Sequence, residues 1–166
     1  SKGQHKTRKA VPKELEGKEV SSVDKTLADK LHLKLRKTKG NESVPYFRNE
    51  RGFSSACIKH FKLGHRVFKN GGGDQYPYAA IPYIQNDETV DVKYRTLIKP
   101  PADEAEFKKW KKFKWRREGG GISALFNGDI ITEEVDTIFI TEAEMDCMSL
   151  WTQGYHNAVS VTVGAK

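Results

Sequence analysis

Three places in the chain bring charged or aromatic side chains together at regular intervals. The first is Thr141-Glu142-Ala143-Glu144-Met145-Asp146, in which Glu142 and Asp146 stand one helical turn apart. Two such carboxylates, one leaving a strand and the other entering a helix, repel unless a cation, a proton or a basic group lies between them. A hard divalent ion such as Mg2+, held by one or two carboxylates plus substrate phosphates, would satisfy them. Acids at a helix start can also simply offset its dipole, and spacing alone leaves both readings open. The second place is Lys93-Tyr94-Arg95. On a strand with a rise of ~3.4 Å per residue, Lys93 and Arg95 share a face about 7 Å apart, which suits adjacent phosphates. The alternative is an exposed face paired with acids such as Asp91. The third is the run Lys108 to Arg117, with seven cations and three aromatics. Aromatics can stack bases while lysines track phosphates. Phe107, Trp110 and Phe113 could equally be core anchors opposite solvated lysines. A mixed reading has Phe107 and Trp110 packing while Lys111, Lys112, Lys114, Arg116 and Arg117 meet a nucleic-acid backbone.

Each of these groups needs an element to hold it. Thr137-Ile138-Phe139-Ile140 is a short, wholly apolar run of the kind found in strands buried on both faces, and Ala158 to Val163 is a second β-branched run. Between them Ala143 to Thr152 reads as a helix closed by Gly154. Strand, helix and strand form a βαβ unit, in which ligands bind at the carboxyl ends of the strands, where Glu142 lies. Upstream, Tyr78 to Ile84 and Thr89 to Thr96 flank the turn former Gln85-Asn86-Asp87-Glu88, predicting a β-hairpin. In its second strand Val90, Val92 and Tyr94 fall on one face and Asp91, Lys93 and Arg95 on the other. Pro100-Pro101 ends that strand, and Asp103 with Glu106 forms a capping-box-like start for a helix through Phe107, Trp110 and Phe113.

Nearer the start, Leu27, Leu31 and Leu35 repeat at helical spacing within Ser22 to Lys37. A short helix follows Arg51-Gly52, with Ser54 as its cap and Gly64 as the left-handed residue at its end. Gly71, Gly72 and Gly73 mark a loop and not a phosphate cradle, because no strand-to-helix pattern surrounds them. The chain divides into a basic linker with a short helix (1–45), a basic subdomain (46–121) and a final βαβ segment (122–166).

The charge follows the same division. The 166 residues carry 29 Lys and Arg against 22 Asp and Glu, net +7. Residues 1–118 hold 28 basic against 15 acidic residues (+13), whereas 119–166 hold one against 7 (−6). A basic body suits a polyanion and an acidic end suits a cation or a solvated edge. No apolar run approaches the ~20 residues of a membrane span, and residues 1–20 lack a signal-peptide core. Cys57 and Cys147 are too few for a disulfide framework or a four-ligand zinc site and read as reduced core residues. His32, His60, His65 and His156 lack ligand-like spacing.

Ile138-Phe139-Ile140-Thr141-Glu142-Ala143-Glu144-Met145-Asp146, followed by Ser149-Leu150-Trp151 and Gly154 to Val161, resembles the first half of a Toprim fold. More narrowly, it is similar to the version in primase-helicases of the T7 phage and Twinkle type, where an apolar strand runs into a T-E-G-E-x-D turn. Arg51-Gly52, Leu63-Gly64, Lys93-Tyr94-Arg95 and Ala124-Leu125-Phe126-Asn127-Gly128 agree in order, so the resemblance covers residues 46–166. It implies an α/β fold in which an α+β basic subdomain precedes the first βαβ unit of a truncated Toprim fold. By that resemblance Glu142 is the family's glutamate and Asp146 the acid one turn on, both catalytic and both toward Mg2+. Lys93 and Arg95 match its phosphate-holding strand positions, with Arg51 in the same basic subdomain.

The implied activity is synthesis of RNA primers from ribonucleoside triphosphates on a single-stranded DNA template, with a helicase domain in the same or an associated chain. The implied compartment is intracellular, a phage-infected cytoplasm or an organelle matrix. Ala143 stands where the family has Gly, Thr162-Val163 replaces a Pro-Asn-like pair, and the chain stops at Lys166, before the family's Asp-x-Asp. The residues alone are therefore expected to be inactive in priming. The alternative is a nonenzymatic single-stranded DNA-binding module of a Twinkle-like helicase. A Toprim nuclease is a third and weaker reading.

Overall fold

The computed structural model describes residues 23–119 and 124–161. The expectations for residues 1–20, Gly120-Gly121 and Thr162-Val163 lie outside that range.

Helix α1 (Leu27–Lys37) forms because Ala28, Leu31 and Leu35 bury one stripe of an otherwise polar segment. It starts five residues later than the sequence predicts. Asp24 turns the chain first, its carboxylate accepting from the Thr26 N–H at 2.9 Å. At the other end Asn41 donates to the carbonyls of Leu35 and Thr38, and Lys34, Arg36 and Lys37 sit favourably in the last turn. A helical turn α2 (Ser43–Pro45) runs into a π-turn (Tyr46–Glu50) that buries Tyr46 and Phe47. Helix α3 (Ser55–His60) is capped as expected, the Cys57 N–H donating to the Ser54 hydroxyl at 3.0 Å.

The end of α3 differs from the sequence reading. Lys62 takes the left-handed conformation at φ 47°, Leu63 N–H reaches back to Ile58 O, and Lys62 N–H reaches Lys59 O. These bonds form a Schellman closure in which buried Leu63 supplies the apolar contact. Gly64 has another duty. A Cβ there would lie 2.6 Å from Leu31 Cβ, so the missing side chain lets strand and α1 close together.

Strands β1 (Gly64–Lys69), β2 (Gln75–Gln85), β3 (Glu88–Thr96) and β4 (Trp115–Arg117) make one antiparallel sheet in that order. The β2–β3 hairpin turns at Asn86 and Asp87, both at positive φ, which matches the right-handed twist of the flanking strands. Helix α4 (Glu104–Phe113) starts on the Asp103 cap, whose carboxylate accepts from Glu106 N–H. It ends before Lys114, so the cationic run is split between a helix and a strand.

A two-stranded parallel sheet follows, β5 (Phe139–Thr141) and β6 (Ala158–Ser160), joined by α5 (Glu144–Thr152). Gly154 closes α5 at φ 99°, as expected. Phe126 exchanges two backbone hydrogen bonds with Ser160 on the far side of β6. The sequence predicts β5 to be buried on both faces. Among the described residues it has a single strand neighbour, and Ile140 is 74% exposed.

Two apolar clusters hold these pieces. One lies between α1 and the first sheet, with Leu31, Tyr78, Ala80, Val92 and Tyr94. The larger joins Phe47, Phe53, Cys57, Phe61 and Ile81 to Phe126, Cys147, Met148 and Ala158, so the opposite face of the first sheet packs against the βαβ unit. Val90 belongs to this second cluster and not with Val92 and Tyr94. A register shift between Tyr83 and Ile84 leaves Val90 as the extra residue and reverses its face.

Candidate nucleic-acid interface and acidic turn

The register of β4 on β3 decides which cations stand together. Lys93 lies opposite Arg117 and Arg95 opposite Trp115, so these four share the sheet face that looks toward the βαβ unit. Arg116 lies opposite Tyr94 and points the other way, its guanidinium over the rings of Phe68 and Tyr78. Structure thus separates Arg116 from the other predicted phosphate contacts.

The three cations of this face are held differently. Arg117 donates to Asp91 at 2.7 Å, and fully buried Asp91 also accepts from the Gly119 N–H at 2.9 Å. Asp91 therefore neutralises Arg117, which the β3–β4 pairing brings beside it from the neighbouring strand. Lys93 meets an acid that sequence spacing does not single out, Glu144, with Nζ 2.9 and 3.1 Å from its two oxygens. Tyr83 donates its hydroxyl to the same carboxylate. Burial, together with the Glu144 charge it donates to, pushes the Tyr83 phenol far above its ordinary range.

Among the described residues Arg95 meets no such acid. Its guanidinium lies 5.3 Å from the Trp110 ring and 5.2 Å from the Trp115 ring, and its Nε and Nη1 are buried without a hydrogen-bond partner among those residues. Trp110 is itself anchored, donating from Nε1 to Ile98 O and stacking on Phe107. That anchoring agrees with the packing role expected of Phe107 and Trp110. Trp115 is the more open of the two, 37% exposed, and carries the Lys93 ammonium 4.6 Å above its ring.

Further cations crowd the same region. Burial and then the charges of Arg95, Lys111 and Arg51 hold the Lys114 ammonium below its usual pKa. Lys114 also sits 5.7 Å from the Trp110 ring and Lys111 4.7 Å from the Phe107 ring. Arg51 donates to the Tyr46 hydroxyl. Lys112 is exposed on α4. Sequence reasoning missed Glu144, and it counted Trp115 among the three aromatics of the run without singling it out. Alternation around the turn, Glu142 and Asp146 outward with Glu144 inward, was the available signal for the first.

In the acidic turn Glu142 and Asp146 are exposed, whereas Glu144 is 2% exposed. Ala143 caps α5 with φ −134° and ψ 148°, an extended conformation open to any residue, so replacing Gly there costs nothing in backbone strain. Thr141 donates its hydroxyl to carbonyls of Ala143 and Val159, tying the turn to β6. Among the described residues no three His, Cys, Asp or Glu side chains come together as a metal cage. Glu142 and Asp146 form no ion pair among the described residues, which leaves both carboxylates open to a cation.

Cys57 and Cys147 are free and buried, with thiols pushed up to about 11 and about 12 by burial. No described helix is long and apolar enough to cross a membrane.

No family model and no curated protein matches the sequence. Solved structures do match. The RNA polymerase domain of Mycobacterium tuberculosis primase DnaG, in complex with a double-stranded DNA oligomer bearing a 6-nucleotide overhang, aligns at TM-score 0.58 and 16% identity over 84% of this chain and 54% of that one. A DnaG primase catalytic domain bound to single-stranded DNA aligns at 0.57 and 14% identity over 84% and 54%. A DNA primase domain from Pseudomonas aeruginosa aligns at 0.59 and 16% identity over 84% and 52%. The chain spans about half the length of the domains it matches. The antiparallel sheet packed on a parallel βαβ unit thus has the mixed α/β fold of the catalytic domains of DnaG-type primases over the part that aligns.

Proposed function

We propose that the chain is part of the polymerase domain of a DNA primase of the primase-helicase kind, which joins ribonucleotides into primers on single-stranded DNA. The observation that carries this reading is Arg95, a guanidinium held between two indoles with buried donors left unsatisfied. A buried charged donor without a partner is costly. A phosphate would complete it, and Lys93 and Lys114 beside it would extend the contact along a backbone.

On this reading the chain's own residues divide the work. Arg95, Lys114 and Lys93 hold phosphates, and Trp115 offers a ring for a base to stack on. Glu142 and Asp146, on either side of Glu144 in the acidic turn, would hold Mg2+, which supplies charge stabilisation at the attacking and leaving oxygens. Template DNA, ribonucleoside triphosphates and an attached helicase are the partners this implies.

The test is full-length protein with single-stranded template, Mg2+ and ribonucleotides. Primers that vanish with Glu142→Gln support the enzyme, whereas DNA binding with no primer from the wild type overturns it. A second reading, a nonenzymatic single-stranded DNA module of a helicase, draws on one contrast. The basic face is assembled from described residues, while the acidic turn offers only two outward carboxylates. The same assay separates the two.

A further inference from the structure

The cations on the β3–β4 face form a graded series. Arg117 is neutralised by fully buried Asp91, Arg95 meets no acid among the described residues, and Lys93 stands between them, its side chain 20% exposed and paired with an acid 3% exposed. Glu144 belongs to the first turn of α5, between Glu142 and Asp146. Its carboxylate also accepts from the buried Tyr83 hydroxyl, which holds it in place. Lys93 carries its ammonium on a four-carbon stem with rotatable bonds, over the open ring of Trp115.

From this geometry, and resting on the reading of Lys93 and Arg95 as phosphate-binding, we infer that Glu144 is a positioning residue that occupies Lys93 as an internal substitute for phosphate. Two oxygens at 2.9 and 3.1 Å from Nζ present the same charge-assisted acceptor that a phosphate would. A backbone phosphate on Arg95 places its neighbour about 7 Å along the strand, at Lys93. There it must compete with Glu144. The carboxylate thus aims the ammonium when the face is empty and lowers its grip when the face is filled. It also ties the basic face to the turn that carries Glu142 and Asp146.

The proposal is tested in the full chain by removing the competitor without removing its shape. Glu144→Gln frees the Lys93 charge, so affinity for an oligothymidylate tightens severalfold at low salt, and the salt slope steepens by about 0.7, one more phosphate contact on a single strand. Adding Lys93→Ala abolishes both changes, and Glu144→Asp restores wild-type binding. In primer synthesis Glu144→Gln lowers the apparent KM for template together with kcat. Loss of folded protein alone lowers kcat and leaves KM unchanged.

Affinity that is unchanged or weaker in folded Glu144→Gln overturns the inference. Should that variant fail to fold, the wild type still decides. The 15N resonance of Lys93 Nζ shifts on titration with oligothymidylate if the lysine changes partner, and a resonance that stays put overturns the exchange. If Lys93→Ala with Arg95→Ala also leaves DNA affinity untouched, the phosphate-binding reading fails. If that pair weakens binding while Glu144→Gln does nothing, only the role of Glu144 fails.

Discussion

Arg95 and Lys93 are two residues apart and share a face, yet their surroundings differ because their partners come from different elements. Arg95 is enclosed by indoles from α4 and β4, which attract a cation without neutralising it. Lys93 is met by a carboxylate from α5. Lys93→Ala with Arg95→Ala is therefore expected to weaken single-stranded DNA binding and to flatten its salt dependence by about 0.7 for each lost phosphate contact. Fluorescence anisotropy across a salt series measures this, and equal slopes would count against the assignment. Trp115→Ala is expected to cost roughly 1–3 kcal/mol of that affinity, the usual worth of one base stacked on an aromatic ring. Its effect should be nearly independent of salt, which separates stacking from charge.

Among the elements, side-chain caps were legible in the sequence, while the start of α1 and the end of α3 were not. Ser54 and Asp103 cap their helices as read from sequence, because a cap is decided within three residues. Ser54→Ala should cost about 1 kcal/mol, roughly 2–4 °C in Tm for a chain of this size. The end of α3 was misplaced by two residues, since Lys62 accepts the left-handed position that a glycine would take more easily. Gly64 was identified by type but not by task. With Leu31 Cβ 2.6 Å from where its own Cβ would stand, Gly64→Ala should destabilise more than the Ser54 change. Thermal denaturation of the two variants checks the order. The cationic run shows the same limit. Its composition was legible, but a strand starting at Trp115 is decided by pairing with β3, which ends at Thr96 on the other side of α4.

At the scale of the molecule, +7 resolves into a basic sheet facing an acidic turn, joined by one core and by the Lys93–Glu144 pair. Another buried polar contact, Ser43 Oγ with His65 Nδ1 at 2.8 Å, links α2 to β1. Burial holds the His65 imidazole below its ordinary pKa of 6.5. The neutral ring is thus favoured in the fold, while the unfolded chain protonates near 6.5. Stability should fall as pH drops below that value, and the effect should be absent above it. Urea denaturation of wild type and His65→Gln at pH 5.5 and 7.5 tests this, with a smaller pH difference expected in the variant. By itself the sequence determined what is local: the hairpin, the caps, the βαβ order, the acidic turn and the shared face of Lys93 and Arg95. Only the tertiary structure decided that Glu144 turns inward to Lys93 across 51 residues, that Asp91 takes Arg117, that Arg116 faces away and that Ile140 stays exposed. The first set follows from periodicity and backbone geometry within a few residues. The second depends on sheet register and on which distant surface each face meets, and no local pattern encodes either.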